Sequence, residues 1–409
     1  MHRLIWDKIA ARAGKFSRDE RRAASIAAGA HALHDGYTDL IYIMLPLWQA
    51  EFGLSYAALG LLRSMFVGAM ASLQIPASFL SERLGAAVVL ALGTALAGLG
   101  YCLAGLSTGF VMLLAALVIG GMGSSTQHPI ASALVARAFA GPRSLKALGT
   151  YNFCGDLGKM TIPAALSLLL LVMPWRPALA GLGSLGLVMA VVIFLFTPRF
   201  DRDTGAAVGP ARVDDRTPPR SRGFGLLLAI GILDSATRMG FLLFVPFVLK
   251  AKGATLQDVG LAMTLIFAGG AAGKLACTFL GARIGAIATV WVTESATALG
   301  ILALLPLPLF AALPVLPLIG VALNGTSSVL YGSVPDLVTP VRRTHALGIF
   351  YTGTIGSGAI APIVFGRAGD LLGVTHTLML VALVALLTLP LAALLRPAFA
   401  ERYGTDMRV

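Results

Sequence analysis

The sequence predicts an all-α membrane protein, twelve transmembrane helices in two pseudo-symmetric six-helix bundles, and three observations carry that prediction. Hydrophobic residues make up 57% of the chain and charged residues only 12%, too few polar side chains to coat a soluble core. Twelve apolar stretches of roughly 20 residues, the length that crosses a hydrocarbon core of about 30 Å, can be drawn with short connections. The second half also repeats the first at a shift of 200 residues. Pro46/Pro246, Gly53/Gly253, Gly60/Gly260, Phe79/Phe279, Arg83/Arg283 and Gly85/Gly285 keep that register, and Ala147-Leu148-Gly149 matches Ala346-Leu347-Gly348 one residue short of it.

Each stretch must be helical, because lipid offers no partner to free backbone groups and the short alternating segments of a barrel are absent. The spans fall at 25–49, 56–80, 86–106, 109–137, 146–172, 177–197, 223–249, 256–281, 285–305, 308–336, 345–371 and 374–396. They define an N-terminal segment 1–24, a first bundle 25–198, a linker 199–222, a second bundle 223–397 and a tail 398–409. In the first segment Ile5, Ile9, Ala13 and Phe16 share a helical face opposite Lys8, Arg12 and Lys15, the pattern of a helix lying on the inner leaflet. The stretch that follows is too long and too charged for a cleavable signal. The linker, with Asp214, Asp215, Pro218 and Pro219, reads as flexible.

Lys and Arg concentrate in the N-terminal segment, the central loop and the connections on their side, while the opposite connections hold Arg176, Lys250 and Lys252. The positive-inside rule therefore puts both termini and the central loop in the cytoplasm, as in a bacterial inner membrane. The net charge of +12 is this topology signal and an attraction to anionic lipid, not a nucleic-acid surface. Cys102, Cys154 and Cys277 lie in apolar spans at no ligand spacing, so neither a disulfide nor a metal is expected.

The functional signal is charge inside the spans: Asp35, Asp39, Asp156, Asp234 and Glu294 against Arg63, Lys159, Arg238 and Lys274. An ionised side chain at the bilayer centre costs about 2.5–3.5 kcal/mol or more, so such residues face a wet interior and pair. In the first span His31, Asp35, Thr38 and Tyr42 recur every three or four residues on one face, with His34 and Asp39 on its flank. A carboxylate beside an imidazole in a partly dry site can hold a proton near neutral pH, which makes Asp35 the centre of an expected proton-coupling site with His31 and Asp39. The competing reading is a permanent structural ion pair or a hydrogen bond between helices.

At shift 200, His34 aligns with Asp234, Thr38 with Arg238 and Gln74 with Lys274, so the bundles present different polar groups at related depths. Asp234 with Arg238, and Asp156 with Lys159, are close enough along their helices to read as internal pairs. Arg63 and Lys274 have no acid beside them in sequence and are expected to hold substrate charge, or else to snorkel or to pair across helices with Asp35 or Glu294; Tyr42 and Glu294 complete that expected substrate lining.

Two stretches then carry a resemblance. The run Gly121-Met122-Gly123-Ser124-Ser125-Thr126-Gln127-His128-Pro129, with His31-Ala32-Leu33-His34-Asp35 and the segment from Leu45 to Gly53, resembles the major facilitator superfamily, and within it the fosmidomycin-resistance-like exporters. The superfamily resemblance covers all twelve spans and the branch resemblance mainly the first 165 residues. It implies the major facilitator fold and proton-driven antiport by rocking of two bundles about a midplane site. It points to His31, Asp35, Gly123, Ser124, Ser125, His128 and Pro129, with His128 joining the proton site and Ser125 and Gln127 the substrate site. Pro129 is expected to free a carbonyl for His128 or water.

Ser81-Glu82-Arg83-Leu84-Gly85 resembles the superfamily's short gating loop, where Glu82 and Arg83 would hold one conformation, although Ala86 and Ala87 stand where basic residues usually follow. Gly149, Gly155, Gly158 and Pro163 resemble the glycine-proline segment of its antiporters, whereas Asp156 and Lys159 depart from the branch.

No Gly-rich run ends in Gly-Lys-Ser or Gly-Lys-Thr, so neither a nucleotide site nor any cofactor is expected. The resulting expectation is a monomeric, non-enzymatic secondary transporter that exports a small organic solute, an anion among the candidates, against protons. The alternatives are an importer or uniporter of the same fold, and a membrane receptor or assembly factor that moves no solute.

Overall fold

The computed structural model describes residues 17–139, 142–198 and 222–403; the amphipathic N-terminal face and the linker 199–221 lie outside them. Fourteen α-helices and no strand occur among the described residues. They are α1 (Arg18–Phe52), α2 (Tyr56–Ser72), α3 (Gln74–Leu84), α4 (Ala86–Gly105), α5 (Phe110–Ser124), α6 (Ser132–Ala138) and α7 (Pro142–Val172). After these come α8 (Trp175–Phe196), α9 (Arg222–Ala251), α10 (Leu256–Ile284), α11 (Ala286–Leu304), α12 (Leu309–Ala312), α13 (Val315–Ser333) and α14 (Arg343–Tyr403).

Nine of the described helices are long and apolar enough to cross a membrane, and the bent pair α2 and α3 makes ten. Helix α14 holds two spans, since its backbone turns at Gly373 with φ 78°. With α1, whose His31, His34, Asp35 and Asp39 are all buried, the twelve spans are complete.

Four spans differ from simple rods. The second bends by 43° at Leu73. The fourth is α5, a π-helical turn over Gln127–Ala131, and α6, so the helix widens around Pro129. The Ser132 hydroxyl donates to the carbonyl of His128. The first span starts at Arg18, seven residues before the expected boundary, because Ser17 and Glu20 form a reciprocal capping box. The last continues to Tyr403, into the expected tail.

The repeat is visible in the backbone. Gly53 and Gly253 end α1 and α9 with φ 61° and 86°, and Gly85 and Gly285 link the next spans with φ 93° and 87°. A side chain is strained in that region, which explains why the glycines keep register. Ser55 and Thr255 cap α2 and α10 at the same shift.

The two halves meet where α2 packs on α14 and α7 packs on α10. Gly60 admits the backbone of Pro362 and Gly366 that of Tyr56, while Gly260 admits Ser167. Gln257 Nε2 donates to Ser167 O at 3.0 Å, and Thr264 to Met160 O at 3.1 Å. All these contacts lie in the half of the molecule remote from the chain termini. The halves are therefore joined at that end, and the cleft, the seam between them, runs from there toward the other end.

Candidate functional site

Helix α1 brings its polar face against α7 because small residues let the backbones approach. A side chain at Gly158 would collide with the backbone of Ala32, and one at Gly36 with Ile162. One at Gly155 would stand 2.6 Å from Asp35 Oδ2 and 2.9 Å from His31 Nε2. The glycines of the fifth span thus open space for the charged group of the first.

That group is a cluster around Asp35. Its Oδ1 lies 3.3 Å from His31 Nε2 and 3.8 Å from His34 Nε2, and its Oδ2 lies 3.4 Å from Lys159 Nζ. The His128 ring stands edge-on to both histidines, 5.4 Å from His31 and 4.9 Å from His34 between centroids, aimed there by the π-helical turn. Tyr151 stacks on His31 at 4.0 Å, and its carbonyl lies 3.2 Å from His31 Nδ1.

This last contact decides which ring nitrogen carries a hydrogen. A carbonyl can only accept, so His31 Nδ1 carries a hydrogen and donates it to Tyr151. Nε2 of a neutral ring is then an acceptor, and it faces a carboxylate oxygen that is also an acceptor. The 3.3 Å approach is favourable only with a proton on one of the two.

Asp39, one turn further, faces Arg63: Nη2 lies 3.8 Å from Asp39 Oδ1, Nε donates to Tyr42 Oη at 3.0 Å, and the guanidinium carbon sits 4.8 Å over the Tyr42 ring. Arg63 is 2% exposed, so in this conformation it serves Asp39 and Tyr42 and does not line the cleft. The Tyr42 hydroxyl reaches Met239 Sδ in the second half at 3.4 Å.

The expected internal pair of Asp156 and Lys159 does not form. Three residues apart, the two side chains diverge: Lys159 turns to Asp35 on α1, and Asp156 crosses to Lys274 on α10 at 2.6 Å. Lys274 accordingly pairs with neither Asp35 nor Glu294. Asp234 and Arg238 do pair, at 3.4 Å. Glu294 is buried at 1% exposure behind them, its carboxyl facing that of Asp234 and the Thr326 hydroxyl.

Ser125 and Gln127 are buried within the first half. Ser125 donates to Met122 O at 2.7 Å and Gln127 Nε2 to Thr94 Oγ1 at 3.2 Å. Glu82 and Arg83 are exposed in the last turn of α3, on the side of the termini.

Three ion pairs share a polarity. Lys159 is 29% exposed against 10% for Asp35, Lys274 40% against 12% for Asp156, and Arg238 21% against 4% for Asp234. In each pair the acid is the more buried partner and the cation the more exposed, so the accessible side of each pair is positive.

His31, Asp35 and His128 offer ligand atoms within 4.8 Å of one another, the only such metal-competent group among the described residues. The Lys159 ammonium already supplies the positive charge that Asp35 would give a metal, so the donor set does not favour a cation as it stands.

Sequence reasoning gave Lys159 the wrong partner and did not single out Asp370. The glycines flanking Lys159 were a usable signal, because small residues at 155 and 158 imply a helix close enough for a charge to reach. Asp370, at the end of the eleventh span, gave none.

Comparison with known proteins follows the same duplication. The family model of the Major Facilitator Superfamily matches residues 27–226 and again 226–404. The fosmidomycin resistance protein of Escherichia coli (strain K12) is 23% identical over 355 residues, 83% of this chain and 84% of that one. The probable L-galactonate transporter of the same organism is 25% identical over 244 residues, 56% of this chain, which thus spans about half (54%) of that relative. Among solved structures, a bacterial homologue of the human lysosomal transporter Spinster, inward-facing and unoccupied, superposes with a TM-score of 0.81 at 15% identity, over 96% of this chain and 100% of that one.

Proposed function

The chain belongs to the major facilitator superfamily, a transporter family, and on that premise we propose that it is a proton-coupled transporter of a small organic anion, with Asp35 and His31 as the proton site and Lys159 and Lys274 as anion contacts. The observation that carries this reading is the commitment of His31 Nδ1 to Tyr151, which leaves a proton to be held between Nε2 and Asp35. The anionic character follows from the exposure of the cations. L-galactonate, named in one relative, is a sugar-acid anion of the right kind.

The charge arrangement gives the sign of coupling. When the proton is present, Asp35 is neutralised by its own histidine and Lys159 is released to an anion. When it leaves, Lys159 is drawn back to Asp35. Proton and anion therefore favour each other's binding and travel together, which drives uptake in a cell with an inward proton gradient. The second reading is export by antiport, favoured by the relative whose name is fosmidomycin resistance and which covers most of the chain. On this reading the termini face the cytoplasm, which the distribution of basic residues supports.

The test is flux into vesicles containing the purified protein, screened over organic anions, with the pH gradient imposed in either direction. Cotransport requires accumulation on the alkaline side; antiport requires accumulation on the acidic side. Asp35→Asn should abolish the dependence on the gradient while leaving insertion intact. Undiminished gradient-driven flux in that variant would remove Asp35 from the mechanism.

A further inference from the structure

The second half holds a buried acid cluster that the proton site of α1 does not use. Asp234 on α9 and Glu294 on α11 are 3% and 1% exposed. Their carboxyls face each other within hydrogen-bonding reach. Thr326 stands against Glu294 from α13, its own hydroxyl also 2.7 Å from that of Thr293. Glu294 Oε2 finds no donor among the described residues. The cation that faces the pair is Arg238, which gives Asp234 one contact at 3.4 Å and keeps its Nε without a partner.

The remaining polar neighbours within the second half are neutral. Tyr331 on α13 lies toward Arg238, and from α14 Thr354 accepts through its carbonyl from Ser235 at 2.7 Å while Ser357 donates to Ile232 O at 2.7 Å. From α1, Asp39 and Tyr42 lie within electrostatic reach of Arg238 across the cleft. One guanidinium cannot neutralise two carboxylates in contact, and two unscreened like charges in a dry site do not both ionise.

We propose that Asp234 and Glu294 share one proton, a second proton-binding site in the opposite bundle from Asp35, and that its occupancy decides whether Arg238 is free to hold an anion. With the proton present, Arg238 balances a single negative charge and keeps its outer edge for a ligand in the cleft. Without it, the two carboxylates draw the guanidinium inward and away from the cleft. The site rests on the reading of the chain as a proton-coupled anion transporter, and it repeats in the second half the logic of Lys159 and Asp35 in the first. A pair of carboxyls sharing a proton titrates as a unit, so its proton belongs to both residues.

Infrared difference spectroscopy of the purified full chain across an alkaline pH jump tests the site without any substrate. The wild type is expected to show the C=O stretch of a protonated carboxylic acid at neutral pH, lost on alkalinisation with release of about one proton per chain more than Glu294→Gln releases. Glu294→Gln and Asp234→Asn should each remove that band, and Asp35→Asn and Asp39→Asn should keep it. Absence of the band in the wild type overturns the proposal. So does its loss in Asp35→Asn or Asp39→Asn, a result that stands even if the other two variants do not insert. Because no flux is measured, this outcome is separate from the vesicle test of Asp35.

Discussion

The carboxylate of Asp370, at the end of the eleventh span, caps the N-terminus of α2 across the boundary between the halves, accepting from the Tyr56 amide at 2.7 Å and the Ala57 amide at 3.1 Å. The first amides of a helix have no partner inside it, and an anion there also meets the positive end of the helix dipole. This contact can exist only while α2 and α14 are together, so it stabilises the state closed at the end remote from the termini. Asp370→Ala should shift the equilibrium toward opening at that end by about 1 kcal/mol, the usual worth of a helix cap, or roughly fivefold. Distances between spin labels on the outer ends of α2 and α14 report the shift, and Asp370→Asn, which still accepts, should recover part of it. An unchanged distance distribution in the alanine variant would show that the cap does not control closure.

Lys159 and Asp35 should behave as a coupled unit in stability as well as transport. Lys159→Gln leaves a buried carboxylate facing only histidines, and breaking one side of such a pair costs about 3 kcal/mol. The double variant Asp35→Asn with Lys159→Gln should regain most of that loss in thermal unfolding. Additive destabilisation would mean that the 3.4 Å contact is not an interacting pair.

The pair between Lys274 and Asp156 bridges the halves, yet the ammonium is 40% exposed, so its contribution to stability is within about 1 kcal/mol. Lys274→Ala should therefore unfold close to the wild-type temperature while the KM for a transported anion rises about tenfold or more. A fall in kcat with KM unchanged would assign Lys274 to the conformational change and not to the solute.

Two glycines of α7 should respond oppositely. At Gly158 a new Cβ would meet the backbone of Ala32, which cannot give way, and Gly158→Ala should lower stability by about 2 kcal/mol or more and disturb the Asp35 cluster. At Gly149 nothing lies within 4 Å, and alanine there should be neutral or slightly stabilising. Thermal melts of the two single variants decide it; equal effects would rule out close packing of α1 on α7 as the cause.

Much of this was legible in the chain because lipid leaves so few options. Apolar stretches must be helices, and their number, their pairing through Gly53/Gly253 and Gly85/Gly285, and the concentration of charge on the first span needed no contact information. The site was legible only in part. His31 lies beside Asp35 on the face their spacing gives, and His128 comes near both from another span. Arg63 was expected in the substrate lining and is buried against Asp39 and Tyr42, while Lys159 was assigned to Asp156 and belongs to Asp35. Spacing along one helix gives the face a residue occupies, not the helix that face meets.

The sequence by itself determined which residues carry charge into the membrane and that two related halves would enclose them, because the cost of burying charge and backbone in lipid is independent of how the helices pack. Only the tertiary structure decided who neutralises whom: Lys159 with Asp35, Lys274 with Asp156, Asp370 with the amides of Tyr56 and Ala57. These pairings depend on distances of a few ångströms between helices remote in sequence, which the close backbone approach at Gly158 and Gly60 sets and which no period along the chain encodes.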